Sequence, residues 1–530
     1  MRHYNQIDRD EESKLTQMQN HSENTKRIAK NTLMLYGRML FSMVVSLYTS
    51  RVVLNTLGVV DYGIYGVVGG FVAMFSLISS SLSSAVSRFL TFELGRGDKD
   101  RLSKAFSTSL LIHIVLAVVV FIIAETVGVW FVNNKMTIPA DRLYAANWVF
   151  QASILSFMFG LFSVPYNASI VSHERMSAFA YIGILDTTLK LLVVLFIAHC
   201  KWHFDKLIVY SLLLVAVSVS LQCIYLMYCR KHFEECRLRV SFDKEFWKEI
   251  SAFSLWNFIG CTAGILKDQG VNVLLNLFVG PVLNAARGIA GSVNGAISGF
   301  AANFMMAMNP QITKSYASDD LSYAHYLVER GSRFSFYIMM FFAIPILLET
   351  DFLLTIWLKQ FPEHSINFVR LVLILSLVDI LSNTLITLQN ATGKIRNYQL
   401  IVGGILLLNF PLSYVCLKAG FAPESTYIVA IAVAVMCMIS RLLFLRKSAA
   451  LPMSGFLKRV VLNVAMVLAC SIMVPLVIHE LMPYGWERFI VVGTASVIMS
   501  AISVLFVGCN RSERSFLIRK AMTIKDKFRR

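Results

Sequence analysis

Long apolar runs alternate with short polar turns along almost the whole chain. A run of about 20 residues crosses a bilayer as a helix, because the hydrocarbon core is about 30 Å thick and a helix rises about 1.5 Å per residue. The pattern predicts about fourteen such spans. They lie near residues 31–54, 64–90, 105–130, 143–165, 177–198, 207–229, 250–279, 288–309, 334–356, 367–388, 400–417, 426–445, 460–478 and 487–508. The expected fold class is an all-α integral membrane protein. A polar tail (1–25) precedes a six-helix bundle (26–229), and a charged connector (230–249) leads to a second bundle (250–447). Two further spans (448–510) and a basic tail (511–530) close the chain.

The two bundles read as copies of one unit. Leu54-Asn55-Thr56-Leu57-Gly58 closes the first span and a Gly-punctuated turn runs to Gly69; the same arrangement returns around Gly280, Gly288 and Gly291. Gly58, Gly66 and Gly69 fall on those three glycines at a shift of 222 positions. Without a gap, the same shift carries Lys26 to Lys248, Ile28 to Ile250, Thr91 to Thr313 and Asp98 to Asp320. A constant register across two helices and a hairpin predicts two pseudo-symmetric six-helix halves, a construction common in secondary transporters.

Composition agrees with the pattern: hydrophobic residues make up 56% of the chain and charged ones 15%, against about 25% in soluble proteins. The net charge of +17 does not form a nucleic-acid patch, because the basic residues occupy alternate loops. Lys26, Arg27 and Lys30 lie on one side with Arg96, Lys99, Arg101, Lys104, Arg175, the 230–249 connector, Lys314, Arg330, Arg333, Lys394, Arg396, Arg441, Arg446, Lys447, Lys458, Arg459 and the tail. The other side offers Lys135, Arg142, Lys201, Lys206, Lys359, Lys418 and Arg488. Both termini are therefore expected in the cytosol. The opening 25 residues have no apolar core and read as a disordered cytosolic tail, not a cleaved signal. The nine cysteines show no C-x-x-C spacing and read as small apolar residues, so no disulfide, metal or cofactor is expected. Outer loops of about ten residues leave no room for a catalytic domain, and the chain reads as a non-enzyme.

Polar groups inside the apolar runs carry the functional signal, because a charge at membrane depth faces a cavity or a partner. Arg38 lies mid-span with nothing acidic three or four residues away. Asp186 and Lys190 stand one turn apart and can neutralise each other. Lys267 and Asp268 lie in the seventh span and Asp379 in the tenth; Arg51, Arg88 and Arg287 sit nearer span ends, where snorkelling and cavity lining are both open. Six of these nine are basic, which suits a cavity for an anion. Serines of the second span (Ser76 to Ser87) and Ser292, Asn294, Ser298, Asn303 and Asn309 of the eighth fit either close helix packing or a polar cavity wall. Pro310 is expected to end the eighth span, and Pro165 and Pro345 to kink the fourth and ninth.

The run Leu57-Gly58-Val59-Val60-Asp61-Tyr62-Gly63-Ile64-Tyr65 resembles the LG-x-x-D-Y-G-x-Y signature of Wzx-type polysaccharide flippases. The second-half stretch from Lys267-Asp268-Gln269-Gly270 to Val279-Gly280-Pro281 resembles it too, and Gly95-Arg96-Gly97-Asp98 matches a loop of that family. The resemblance spans residues 26–510 and places the chain near the multidrug, oligosaccharidyl-lipid and polysaccharide exporters, the MATE-like MOP superfamily. It implies alternating access between two bundles and an undecaprenyl-pyrophosphate-linked oligosaccharide as substrate. It also implies a bacterial cytoplasmic membrane and a role in O-antigen, capsule or exopolysaccharide synthesis, with polymerase and glycosyltransferases as pathway partners. The resemblance gives a pyrophosphate-binding role to Arg38, Lys267 and Arg287; Arg51 and Arg88 are added as cavity cations, and Asp186, Lys190, Asp268 and Asp379 as coupling or charge-pair residues. The extra two spans fit members that use them to hold a lipid tail. A monomer is expected. The competing reading is a MATE-type cation-coupled drug or metabolite exporter, favoured by buried carboxylates and disfavoured by the surplus of cations.

Overall fold

The structure is a computed structural model that describes residues 27–515, apart from 47, 50–51, 54, 59–60, 62–63, 66–67, 70–71, 73–74, 135–137, 200–204, 238–242, 280 and 359–360. Lys26, Arg51, Gly66, Lys135, Cys200, Lys201, Gly280, Lys359 and the tail beyond residue 515 lie outside the described residues. Every regular element among the described residues is helical. Residues 27–46 form α1. Then come α2 (Ser76–Arg96), α3 (Lys99–Ile123, continuing through a π-helical turn to Asn134), α4 (Leu143–Ser172), α5 (Met176–His199) and α6 (Lys206–His232). The second half opens with two long helices, α7 (Lys244–Phe278) and α8 (Pro281–Ala317). It continues with α9 (Leu321–Leu348), α10 (Thr350–Leu358), α11 (Ser365–Ile380), α12 (Asn383–Thr392), α13 (Arg396–Leu407), α14 (Asn409–Lys418) and α15 (Ser425–Ser448). The last pair is α16 (Asn463–Leu481) and α17 (Trp486–Ser503).

Ten helical segments among the described residues are long and apolar enough to cross a membrane, so the chain is a multi-pass membrane protein. Helices α7 and α8 are more polar but run for 35 and 37 residues. At about 1.5 Å per residue either is more than 50 Å long, well beyond the thickness of the hydrocarbon layer.

The repeat holds in the backbone. Helix starts at 99, 143, 176 and 206 recur at 321, 365, 396 and 425, shifts of 222, 222, 220 and 219. Gly97 and Asp319, one repeat apart, both take left-handed backbone (φ 77° and 60°). The residues after them do the same work: Asp98 accepts a hydrogen bond from the Arg101 N–H and Asp320 from the Tyr323 N–H, each at 3.0 Å, capping α3 and α9.

Two expectations need correction. Pro310 does not end a helix; it lies inside α8, which runs on to Ala317. A proline removes a single N–H, and a helix packed on both sides tolerates the loss; the stop comes where Asp319 leaves helical space. The charged connector is also shorter than expected, because Asp243 accepts from the Glu245 and Phe246 N–H groups and starts α7 at Lys244.

By contact density the chain divides into two compact units. Unit 1 holds residues up to Phe258 and the end of α8, Met306–Asp319. Its core stacks Ile64, Val68 and Val72, one turn apart, on Ala145, Ala146, Val149 and Phe150 of α4. Arg142 stands beside this core and grips two carboxylates, Asp61 through Nε at 2.8 Å and Asp205 through Nη1 at 2.5 Å. In the same unit the buried Glu174 carboxylate takes Arg27 Nε at 2.8 Å and Lys314 Nζ at 2.7 Å, and accepts from Gln311 as well. Ser81 Oγ donates to the Ser254 carbonyl at 2.7 Å, so this serine of α2 serves helix packing.

Unit 2 holds Ile259–Met305 and everything from Asp320 onward. Here α16 and α17 pack on each other and on α9. Buried carboxylates fasten the hairpin at two places. Glu349, following α9, binds Arg488 Nε at 3.0 Å and His479 Nδ1 at 2.8 Å. Glu513, beyond α17, binds Arg333 at 3.0 Å and Arg330 at 3.4 Å.

Candidate functional site

Segments of five helices within unit 2 line a half-open polar cavity of about 470 Å³. Helix α7 supplies Lys267 and Asp268; α8 supplies Arg287 and, two turns on along the same face, Asn294. Helix α11 presents Val372, Leu375, Ser376 and Asp379, spaced by three or four residues so that all face inward. Asn409 opens α14, and Thr426 and Tyr427 come from the first turn of α15. The break between α13 and α14 at Leu408 has a local cause: Pro411 offers no N–H to the Leu407 carbonyl, so the ladder lapses where Asn409 meets the cavity.

The cations here are weakly engaged by the protein. Lys267 has a side chain only 10% exposed, yet its nearest carboxylate oxygen, Oδ1 of Asp268, is 4.0 Å away. Arg287 reaches the same oxygen at 3.9 Å and the Asp268 carbonyl at 3.4 Å, with its guanidinium 5.2 Å above the Tyr427 ring. Asp268 itself is 61% exposed. Asp379 lies within electrostatic reach of Lys267 and of the buried Arg441, which donates from Nε to the Tyr398 hydroxyl at 3.2 Å. A buried ammonium whose nearest carboxylate is distant and solvent-exposed is a ready anion site, because in low dielectric it gains strongly from a phosphate oxygen at contact distance.

Four of the nine charges singled out in the sequence thus meet in one cavity: Lys267, Arg287, Asp268 and Asp379. They are two cations and two carboxylates, so the positive surplus counted along the sequence does not carry over to this lining. Of the others, Arg38, Arg88, Asp186 and Lys190 lie in unit 1, and Arg51 lies outside the described residues. Asp186 and Lys190 form the one-turn ion pair, at 2.9 Å. Arg88 is packed among the rings of Phe89, Phe92 and Phe253, with its guanidinium carbon 4.5, 4.9 and 5.4 Å from their centres. That aromatic seat gives it a packing role. Arg38 lies over the Phe179 ring at 4.4 Å, and no carboxylate pairs with it among the described residues. Its side chain runs along α5 across Gly183, where an added Cβ would stand 2.7 Å from Arg38 Cδ. Tyr225 lies within electrostatic reach of both Arg38 and Asp186.

Several contributors carried no signal of their own in the sequence. Ser376, Asn409 and Tyr427 are ordinary residues of apolar helices until the fold brings them to the cavity, and Arg441 reads in the sequence only as a cytosolic-side cation. Outside the membrane, titration is tuned where loops meet. Burial pushes the Asp205 carboxyl up, but hydrogen bonds and charge from Arg142 outweigh it and hold the group below the usual range. Glu424, before α15, behaves alike: hydrogen bonds from His364 at 2.6 Å and Asn367 at 3.0 Å outweigh burial. No group of histidine, cysteine and carboxylate side chains able to hold a metal occurs among the described residues.

Solved structures share this architecture at low identity. A multidrug resistance MATE family transporter of the MOP superfamily, in an outward-facing conformation, matches with a TM-score of 0.68 at 13% identity over 81% of this chain and 96% of its own. A MATE in the straight conformation gives 0.68 at 13% over 82% and 97%. A MOP superfamily transporter from Pyrococcus furiosus, noted for a binding pocket of reverse polarity, gives 0.67 at 12% over 82% and 96%. The fold is therefore that of the MATE-like membrane transporters. No curated protein matches the sequence. The polysaccharide biosynthesis protein family matches residues 26–316, more than half the chain, and the chain belongs to that family.

Proposed function

We propose that this protein is a flippase that carries an undecaprenyl-pyrophosphate-linked oligosaccharide from the inner to the outer leaflet of a bacterial cytoplasmic membrane. In this reading it works by alternating access for O-antigen, capsule or exopolysaccharide synthesis, as a monomer with both termini in the cytosol. Lys267 and Arg287 grip the pyrophosphate. The observation that carries the reading is the buried Lys267 ammonium, whose nearest carboxylate stands 4.0 Å off in a polar cavity. Arg38, without a carboxylate partner among the described residues, offers unit 1 an anion contact of its own. Asp268 and Asp379 respond to loading: Asp268 yields Lys267 and Arg287 to the phosphate, and Asp379 keeps the empty cavity near neutral.

The test is made in cells lacking the protein. A lipid-linked oligosaccharide is expected to accumulate, shielded from a glycan-modifying enzyme added outside. The wild-type chain restores its exposure, and Lys267→Gln at equal abundance does not. Absence of accumulation, with altered sensitivity to cationic compounds, would replace this reading with a cation-coupled exporter.

A further inference from the structure

The charges of the unit 2 cavity leave two asparagines of its lining, Asn294 and Asn409, without a role. We propose that these two form a sugar subsite, which takes the pyranose adjoining the pyrophosphate and selects among glycans. The inference rests on the flippase reading and adds a recognition element to it.

The first argument is electrostatic. With two cations balanced by Asp268 and Asp379, the cavity is not a general trap for polyanions; a phosphate is favoured beside Lys267 and Arg287 and opposed elsewhere. The second is the hydrogen-bond inventory. Asn294 Oδ1 is already occupied, accepting from Ser376 Oγ at 2.7 Å and from Ser298 Oγ at 3.2 Å. That fixes the amide and leaves its Nδ2 donors without a protein partner among the described residues. Asn409 is 1% exposed, lines the cavity, and its Oδ1 has no hydrogen-bond partner among the described residues. A buried amide oxygen without a donor is costly, and natural proteins keep such groups where something else supplies the bond.

An oriented donor on one wall and an orphan acceptor on another are what neighbouring hydroxyls of a sugar ring satisfy, because each hydroxyl both donates and accepts. Size gives the third argument. A cavity of about 470 Å³ belongs with small-molecule sites, typically about 300–1,000 Å³, and has room for a small part of a lipid-linked oligosaccharide. Discrimination follows from the same groups: a site built to bond a hydroxyl rejects a sugar lacking it, since the amides are then left unpaired.

The experiment uses the purified full chain in lipid nanodiscs and calorimetry with two probes. One is inorganic pyrophosphate; the other is a panel of free hexoses, N-acetylhexosamines and their single-deoxy analogues. The wild type is expected to bind pyrophosphate and to prefer one panel sugar over its deoxy analogue. Asn409→Leu and Asn294→Ala should each weaken that sugar by about tenfold or more, the size of a lost hydrogen bond, and leave pyrophosphate unchanged. Lys267→Gln should do the reverse. Asn409→Leu replaces an orphan amide with an apolar side chain of similar size, so it is expected to melt no lower than wild type, which separates lost recognition from lost folding. If pyrophosphate binds through Lys267 but no panel sugar binds, or both asparagine variants keep wild-type sugar affinity, the subsite is refuted and the flippase reading stands. If pyrophosphate fails to bind, or binds equally to Lys267→Gln, the flippase reading fails first.

Discussion

Replacing Glu174 tests how unit 1 is held together. Its carboxylate is 1% exposed and faces Arg27 and Lys314, whose side chains are 49% and 23% exposed. Removing one member of a buried pair costs about 3–5 kcal/mol, because the other charge is left unpaired. Lys314 is the partner to which that figure applies. The half-exposed Arg27 adds at most about 1 kcal/mol after solvent screening. Glu174 also has φ 56°, in the left-handed region that follows α4. A side chain there costs about 1–2 kcal/mol relative to glycine. Two substitutions therefore separate the terms. Glu174→Ala should lose about 3–5 kcal/mol, and Glu174→Gly about 1 kcal/mol less, because it relaxes the backbone. Stability is read from chemical denaturation in detergent, with Lys314→Met completing a double-mutant cycle. In the Lys314→Met background most of the loss should vanish. A Glu174→Gly protein as stable as wild type, or strictly additive effects of the two sites, would refute the reasoning.

Other outcomes follow from the same contacts. Gly183→Ala should displace Arg38 and lower flipping in the wild type, yet add nothing in an Arg38→Ala background; additive loss in a transport assay would mean that Gly183 serves packing alone. Arg142→Lys should destabilise unit 1 by about 1–3 kcal/mol, since an ammonium cannot bridge Asp61 and Asp205 in the bidentate manner of a guanidinium, and a thermal melt checks this. The Asp205 carboxyl is held below its unfolded value of about 3.9, so its contribution is complete above that pH and disappears as pH falls through the lower folded value. The gap in melting temperature between wild type and Asp205→Asn should accordingly be constant from pH 7 to about 5 and close below about pH 4; a gap that widens on acidification would contradict the assignment.

Much of the architecture could be read without coordinates because it rests on local rules. Apolar run length gives the spans, and the constant shift of 222 gives the repeat. The shift survives in the structure down to paired caps at Asp98 and Asp320 and paired left-handed residues at Gly97 and Asp319. The site was legible only in part. Lys267, Arg287 and Asp379 stand out because charge is rare in apolar sequence, but nothing local says that residues over 90 positions apart will face one another. Asn409 and Ser376 are silent for the opposite reason: an amide or hydroxyl in an apolar helix is common, and only the cavity makes it a lining group. Glu174 was missed because a carboxylate in a charged loop looks solvated. Its burial follows from the end of α8, which the sequence pattern stops at Pro310, before Gln311 and Lys314 can reach it.

The two carboxylate clamps on the α16–α17 hairpin change what a deletion means. Arg330 and Glu349 lie 19 residues apart, so the fastenings stand about 29 Å from each other along one helix direction. Cutting the chain after Ser448 would not return unit 2 to a simpler ancestor. It would leave Glu349 without Arg488 and His479, Arg330 and Arg333 without Glu513, and Glu329 without Arg459, four stranded charges where ion pairs had been. Loss of transport in such a truncation would report that injury as readily as any lost role in holding lipid. A fair excision also neutralises the stumps, with Glu349→Gln, Glu329→Gln, Arg330→Met and Arg333→Met made on the shortened chain.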